Sequence, residues 1–159
     1  MSTALSEELA DEAATLALAA RLALALKPPL LIALEGNLGA GKTTLARGVI
    51  QTLAPGTRVK SPTYTLVESY PVPFGAIHHF DLYRLVDPDE LEQIDLAGFA
   101  DANAVLLIEW PDKGGERTAY PDLRVQLAYD GAGRTAQVHA LSQSGQRVLD
   151  ALSANGPVS

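Results

Sequence analysis

Leu30-Leu31-Ile32-Ala33-Leu34-Glu35-Gly36-Asn37-Leu38-Gly39-Ala40-Gly41-Lys42-Thr43-Thr44 passes from an apolar run into a glycine-rich loop and then into residues suited to a helix. Gly36 to Thr43 satisfies the pattern G-x-x-x-x-G-K-S/T at every fixed position. The loop lies between a predicted buried strand, Leu30 to Glu35, and a predicted helix from Lys42 to about Leu53, the placement that separates a phosphate loop from a chance cluster of glycines. Glycines let the backbone curl so that successive N–H groups converge on a phosphate, and the helix N-terminus adds partial positive charge. Lys42 brings a full charge to the β- and γ-phosphates, the Thr43 hydroxyl suits Mg²⁺, and Thr44 adds a hydroxyl near the α-phosphate. The expected fold is therefore α/β: a P-loop NTPase-like mixed sheet flanked by helices, with antiparallel hairpins.

Upstream of the loop, Ala13 to Leu34 is rich in Ala and Leu and superficially resembles a signal peptide or a membrane span. Glu7, Glu8, Asp11 and Glu12 precede it where a secretory signal needs positive charge, and Arg21, Lys27 and Pro28-Pro29 interrupt it. It reads as a soluble helix with Asp11 and Glu12 in its first turn and Leu18, Leu22 and Leu26 on one stripe, then a buried strand. A cytoplasmic protein is expected.

Downstream, Ala54-Pro55-Gly56 stops the loop's helix and the texture turns to β. Tyr64 to Tyr70 and Ala76 to Leu85 read as strands around the turn-like Pro71 to Gly75. Asp87-Pro88-Asp89-Glu90 opens a short helix, and Ala104 to Ile108 is a second fully apolar strand. Arg124 to Tyr129 and Thr135 to Leu141 form a terminal hairpin across Asp130 to Arg134, and a last helix runs from about Ser144 to Leu152. One P-loop domain is expected over residues 1–152, followed by a frayed tail at 153–159.

The composition limits what such a domain can hold. In 159 residues there are 12 Lys+Arg against 19 Asp+Glu, a net charge of −7, and no cysteine. A broad basic face for nucleic acid or anionic membrane is excluded, because neutralising phosphates needs clustered Lys and Arg. Disulfides, zinc ribbons and catalytic thiols are excluded as well.

A P-loop needs a further acid to hold Mg²⁺ and order water. Glu109 ends the strand Val105-Leu106-Leu107-Ile108, an arrangement that would place it beside the loop in a doubly wound sheet. Asp81, within His78-His79-Phe80-Asp81-Leu82-Tyr83-Arg84, is the second candidate. His78 and His79 lack partners at metal-ligand spacing and read as packing or surface residues, and core packing is the default for Trp110, the only tryptophan. Lys60 to Thr65 stands where P-loop NTPases place a switch loop, with Thr63 as the candidate hydroxyl or simply part of a turn before a strand. An N-K-x-D element for guanine is absent, which favours ATP. Arg58, Arg84, Arg117, Arg124 and Arg134 are scattered, which argues against a kinase lid.

These residues together resemble the TsaE family. The resemblance is carried by Asp11-Glu12, the loop from Leu34 to Thr44, Lys60-Ser61-Pro62-Thr63-Tyr64-Thr65, His79-Phe80-Asp81-Leu82-Tyr83-Arg84, Asp87-Pro88 and Ile108-Glu109-Trp110-Pro111, in that order over most of the chain. Asn37 departs from it, standing where Asp is usual. The resemblance implies an ATPase, weak in isolation, that works with the TsaD and TsaB proteins to modify the adenosine beside the tRNA anticodon. It implies phosphates on Gly39, Ala40, Gly41, Lys42, Thr43 and Thr44, Mg²⁺ on Thr43 and Glu109, and Asp81 close to the γ-phosphate. Lys42, Asp81 and Glu109 would be the catalytic set, with Glu12 and Gly133 near the base or ribose. With a net charge of −7 the chain would meet tRNA only indirectly, through its partners. A nucleotide-gated interaction switch with incidental hydrolysis and a small-molecule kinase are the alternatives.

Overall fold

The computed structural model describes residues 4–62, 65–85, 87, 89–90, 96–117, 120–154 and 156. Seven strands form one sheet: β1 (Ala4–Leu9), β2 (Leu30–Gly36), β3 (Val67–Val72), β4 (Gly75–Asp81), β5 (Ala104–Glu109), β6 (Leu123–Asp130) and β7 (Gly133–Ala140). The helices are α1 (Glu12–Ala25), α2 (Lys42–Leu53), α3 (Leu96–Phe99) and α4 (Gln143–Ala154), with a 3₁₀ helix at Pro111–Arg117. The strand order is β1-β7-β6-β2-β5-β4-β3. β2 runs parallel to β5 and β6, and β4 runs parallel to β5, while β3, β7 and β1 are antiparallel additions. This is the expected mixed sheet with two hairpins, and the P-loop strand lies at its centre.

Strands β2 and β5 read as continuous apolar runs because both of their faces are covered. Leu30, Ile32, Leu34, Val105 and Leu107 pack with Leu18 and Leu22 of α1, Leu45 and Val49 of α2, and Leu149 and Leu152 of α4. On the opposite face Leu31, Leu106 and Ile108 pack with Phe80, Leu82 and Leu96. Helix α1 starts where Asp11 accepts a 2.9 Å hydrogen bond from the Ala14 N–H. It lies close to α2 because small residues meet: a Cβ on Gly48 would stand 2.6 Å from the Ala19 Cβ. Among the described residues no helix is long and apolar enough to cross a membrane.

Several boundaries differ from the sequence expectation. Strand β1 was not anticipated, and it pairs with β7 from Ala4 to Leu9. Strand β3 begins at Val67 rather than Tyr64 because Leu66 adopts φ +68, a conformation no strand continues through. Strand β4 stops at Asp81 rather than Leu85: the Asp81 Oδ1 accepts the Tyr83 N–H, and its partner strand leaves after Glu109 at Trp110, φ +58. The β6–β7 turn is only Gly131-Ala132. Asp87 and Glu90 form a reciprocal cap, Asp87 Oδ1 accepting from Asp89 N–H and Glu90 Oε1 from Asp87 N–H. Residues 91–95, over which the short helix was expected, lie outside the described residues, as do Thr63, Tyr64 and residues 155 and 157–159; Ser153 and Ala154, expected in the frayed tail, belong to α4.

Candidate functional site

Register brings the two acids together. Leu34 pairs with Glu109 and Asp81 pairs with Glu109, so both carboxylates stand at the carboxyl edge of the parallel strands, beside the loop that leaves β2. The loop itself requires glycine at two points. Gly36 has φ +151, and a Cβ there would approach the Leu127 carbonyl oxygen to 2.4 Å. Gly41, with φ +106, is the N-cap of α2 and turns the chain into the helix.

Lys42 is buried, at 4% exposure. Its Nζ donates to the Gly36 carbonyl and, at 3.2 Å, to that of Asn37. The ammonium also lies 4.0 Å from the Trp110 ring centroid. Burial lowers its pKa, with Glu109, Asp81 and Asp112 opposing the shift. The lysine is thus folded back on the loop's own carbonyls.

Thr43 Oγ1 donates to Glu109, at 3.0 Å from Oε1 and 3.1 Å from Oε2. Glu109 Oε2 in turn lies 2.6 Å from His79 Nε2, with the imidazole fully buried. Asp81 accepts the Tyr83 N–H at 3.1 Å. Its carboxyl pKa is raised, mainly by burial and further by Glu109, against the Tyr83 hydrogen bond, His79 and Lys42. Lys42, Thr43, Asp81, Tyr83, Glu109 and Trp110 line a cleft of about 410 Å³, which Ser61 and Arg84 also border. A second cleft of about 240 Å³ adjoins it, lined by Glu12, Thr15, Ala40, Gly133 and Arg134 and sharing Gly39, Gly41 and Thr44 with the first. An elongated ligand can therefore lie across the loop with one end at Glu109 and the other at Glu12. A hydroxyl facing a carboxylate is a hard oxygen donor pair, which suits Mg²⁺.

The sequence model described as "Threonylcarbamoyl adenosine biosynthesis protein TsaE" matches residues 9–143. The chain belongs to the TsaE family. It is 41% identical over 124 residues to the tRNA threonylcarbamoyladenosine biosynthesis protein TsaE of Haemophilus influenzae, covering 78% of each chain. To the TsaE protein of Rickettsia felis it is 38% identical over 103 residues, 64% of this chain and 60% of that one. The crystal structure of Bacillus subtilis YdiB superposes with a TM-score of 0.75 at 27% identity, over 98% of this chain and 97% of that one.

The residues that the family resemblance implied fall into these two clefts. Lys42, Thr43, Asp81 and Glu109 meet in the larger one, and Glu12 and Gly133, 121 positions apart in the chain, meet in the smaller. Glu12 also pairs with Arg47 at 2.9 Å. Ala40 N–H is engaged within the loop, donating to the Asn37 carbonyl. Three contributors were missed. Tyr129 donates to the Leu38 carbonyl at 2.8 Å, and Arg134 stacks on Tyr129 while donating to the Gly39 carbonyl, so the β6–β7 hairpin straps the loop. His79, expected as a packing or surface residue, is instead bonded to Glu109. Strand alternation signals it: Ile77, His79 and Asp81 share one face of β4, whereas His78 turns the other way to Ser69 and Phe99.

Proposed function

We propose that this chain is the ATP-binding and ATP-hydrolysing subunit of a cytoplasmic system that adds the threonylcarbamoyl group to the adenosine beside the tRNA anticodon, acting with TsaD and TsaB. The observation that carries the reading is the bond between Thr43 and Glu109, which joins the end of the phosphate loop to the acid of β5 beside Lys42 and Asp81. Backbone N–H groups between Gly39 and Thr44, with the α2 N-terminus, receive the phosphates. Lys42 exchanges the Gly36 and Asn37 carbonyls for β- and γ-phosphate oxygens. Thr43 and Glu109 would hold Mg²⁺, which when bound neutralises charge on those oxygens. Asp81, in the same cleft, accepts a hydrogen bond from the attacking water, and Glu12 and Gly133 flank the base or ribose. Because the chain's net charge is −7, the tRNA grip belongs to the partners.

The test is ATP hydrolysis measured with and without TsaB and TsaD. Hydrolysis that rises with the partners and disappears in Lys42→Ala and Glu109→Ala is expected. Hydrolysis and tRNA modification both intact in those variants would refute the reading. One observation favours a second reading, a nucleotide-gated switch: Lys42 is held by its own loop, so occupancy alone rearranges the site. A Glu109→Gln protein that binds ATP without hydrolysing it, yet supports full modification, would select the switch.

A further inference from the structure

We propose that His79 is a positioning residue for Glu109: its Nε2–H holds the carboxylate in the one orientation that meets Thr43. The inference rests on the ATPase reading for its kinetic consequence, and on geometry alone for the contact itself.

Glu109 is buried at 2% exposure, and its two oxygens are engaged unequally. Thr43 Oγ1 reaches both, while His79 Nε2 touches only Oε2, at 2.6 Å. Oε2 is thereby tied down, and Oε1 keeps the free lone pair for whatever enters the cleft. A carboxylate accepts and never donates, so the ring nitrogen facing it must carry the hydrogen. The other nitrogen, Nδ1, is buried and meets no hydrogen-bond partner among the described residues. The contact therefore places a hydrogen on Nε2.

The arrangement is costly unless it serves the acid. Position 79 lies between Ile77 and Asp81 on a strand face that packs against α2, where an aliphatic residue would fill the space without a polar atom. An imidazole placed there does what an outer partner of a ligand commonly does: it limits the rotation of the group that acts, and loss of such a partner typically lowers function about 10–100-fold.

Two variants separate positioning from packing. His79→Phe keeps the ring and removes the N–H, and His79→Gln restores an N–H near the position of Nε2. The expected result is a kcat about 10–100-fold lower in His79→Phe with KM for ATP within about threefold, and recovery of at least several-fold in His79→Gln. Wild-type kcat in His79→Phe, or no recovery in His79→Gln, would overturn the assignment. Imidazole ¹⁵N NMR of the ligand-free protein reads the contact without any turnover. Hydrogen on Nε2 supports the proposal, and a bare Nε2 defeats it. Wild-type protein that hydrolyses no ATP even with TsaB and TsaD would sink the ATPase reading alone, leaving the NMR result to decide His79. The same spectrum decides it if His79→Phe fails to fold.

Discussion

Replacing Gly36 by alanine should damage stability and nucleotide binding together, and the size of the effect follows from two features of the position. The backbone sits at φ +151, a region that residues with a Cβ avoid, at about 1–3 kcal/mol for such a conformation. The new methyl would also lie 2.4 Å from the Leu127 carbonyl oxygen, and Leu127 is the residue paired with Gly36 in the parallel β2–β6 ladder. Relieving that overlap means moving a ladder strand and weakening about one backbone hydrogen bond, roughly 1 kcal/mol more. The sum is about 2–4 kcal/mol. For a chain of this size a melting temperature falls about 2–4 °C per kcal/mol, so a drop of about 4–16 °C is expected by differential scanning fluorimetry. Gly56→Ala supplies the control, since it has φ +83 but a Cβ there meets nothing within 4 Å. Backbone strain alone should cost it about 1 kcal/mol. Because Gly36 opens the loop whose backbone N–H groups must keep their arrangement to receive phosphate, ATP affinity should fall in Gly36→Ala and stay unchanged in Gly56→Ala. Equal melting shifts in the two variants, or unaltered ATP affinity in Gly36→Ala, would refute the steric argument.

Lys42→Ala removes two charge-assisted contacts to phosphate, worth about 1.5–3 kcal/mol each, so ATP affinity measured by calorimetry should fall about a hundredfold or more. Trp110 is the only tryptophan and carries the Lys42 ammonium at 4.0 Å, so ATP should change its emission in the wild-type protein; unchanged emission at saturating ATP would contradict the transfer of Lys42 to phosphate. Asp81 has a folded pKa raised above the ordinary carboxyl value, so between the two the folded state retains a proton that the unfolded state has lost, and stability falls as pH rises through the raised pKa. Asp81→Asn should flatten that dependence and melt higher than wild type at pH 7 while lowering hydrolysis at least about tenfold. Thermal melts across pH check the first part, and a variant with wild-type pH dependence would contradict it. Tyr129→Phe removes the 2.8 Å bond to the Leu38 carbonyl and should weaken ATP binding a few-fold with little change in kcat, read from KM and kcat together.

The legible parts of the molecule were those where one local segment carries a complete physical instruction. Leu30 to Thr44 holds a strand, a loop that tolerates only glycine at key points, and a helix start, and all three stand where the pattern puts them. Val105 to Glu109 likewise announces a buried strand ending in an acid. The illegible parts depend on a partner distant in the chain. Strand β1 has little apolar alternation and exists because β7 offers it an edge. The early stop of β4 depends on its partner: β5 ends at Glu109 and Trp110 turns away at φ +58, so the ladder ends at the Asp81–Glu109 pair.

By itself, then, the sequence determined the phosphate loop, the acids available to it, the absence of thiols and the lack of a basic face, because each is set by residue identity and near-neighbour spacing. Only the tertiary structure decided which acid meets Thr43, that His79 stands behind that acid, and that the β6–β7 hairpin straps the loop. Those outcomes follow from parallel register and from which strand face is buried, and register is an agreement between segments that no single segment contains.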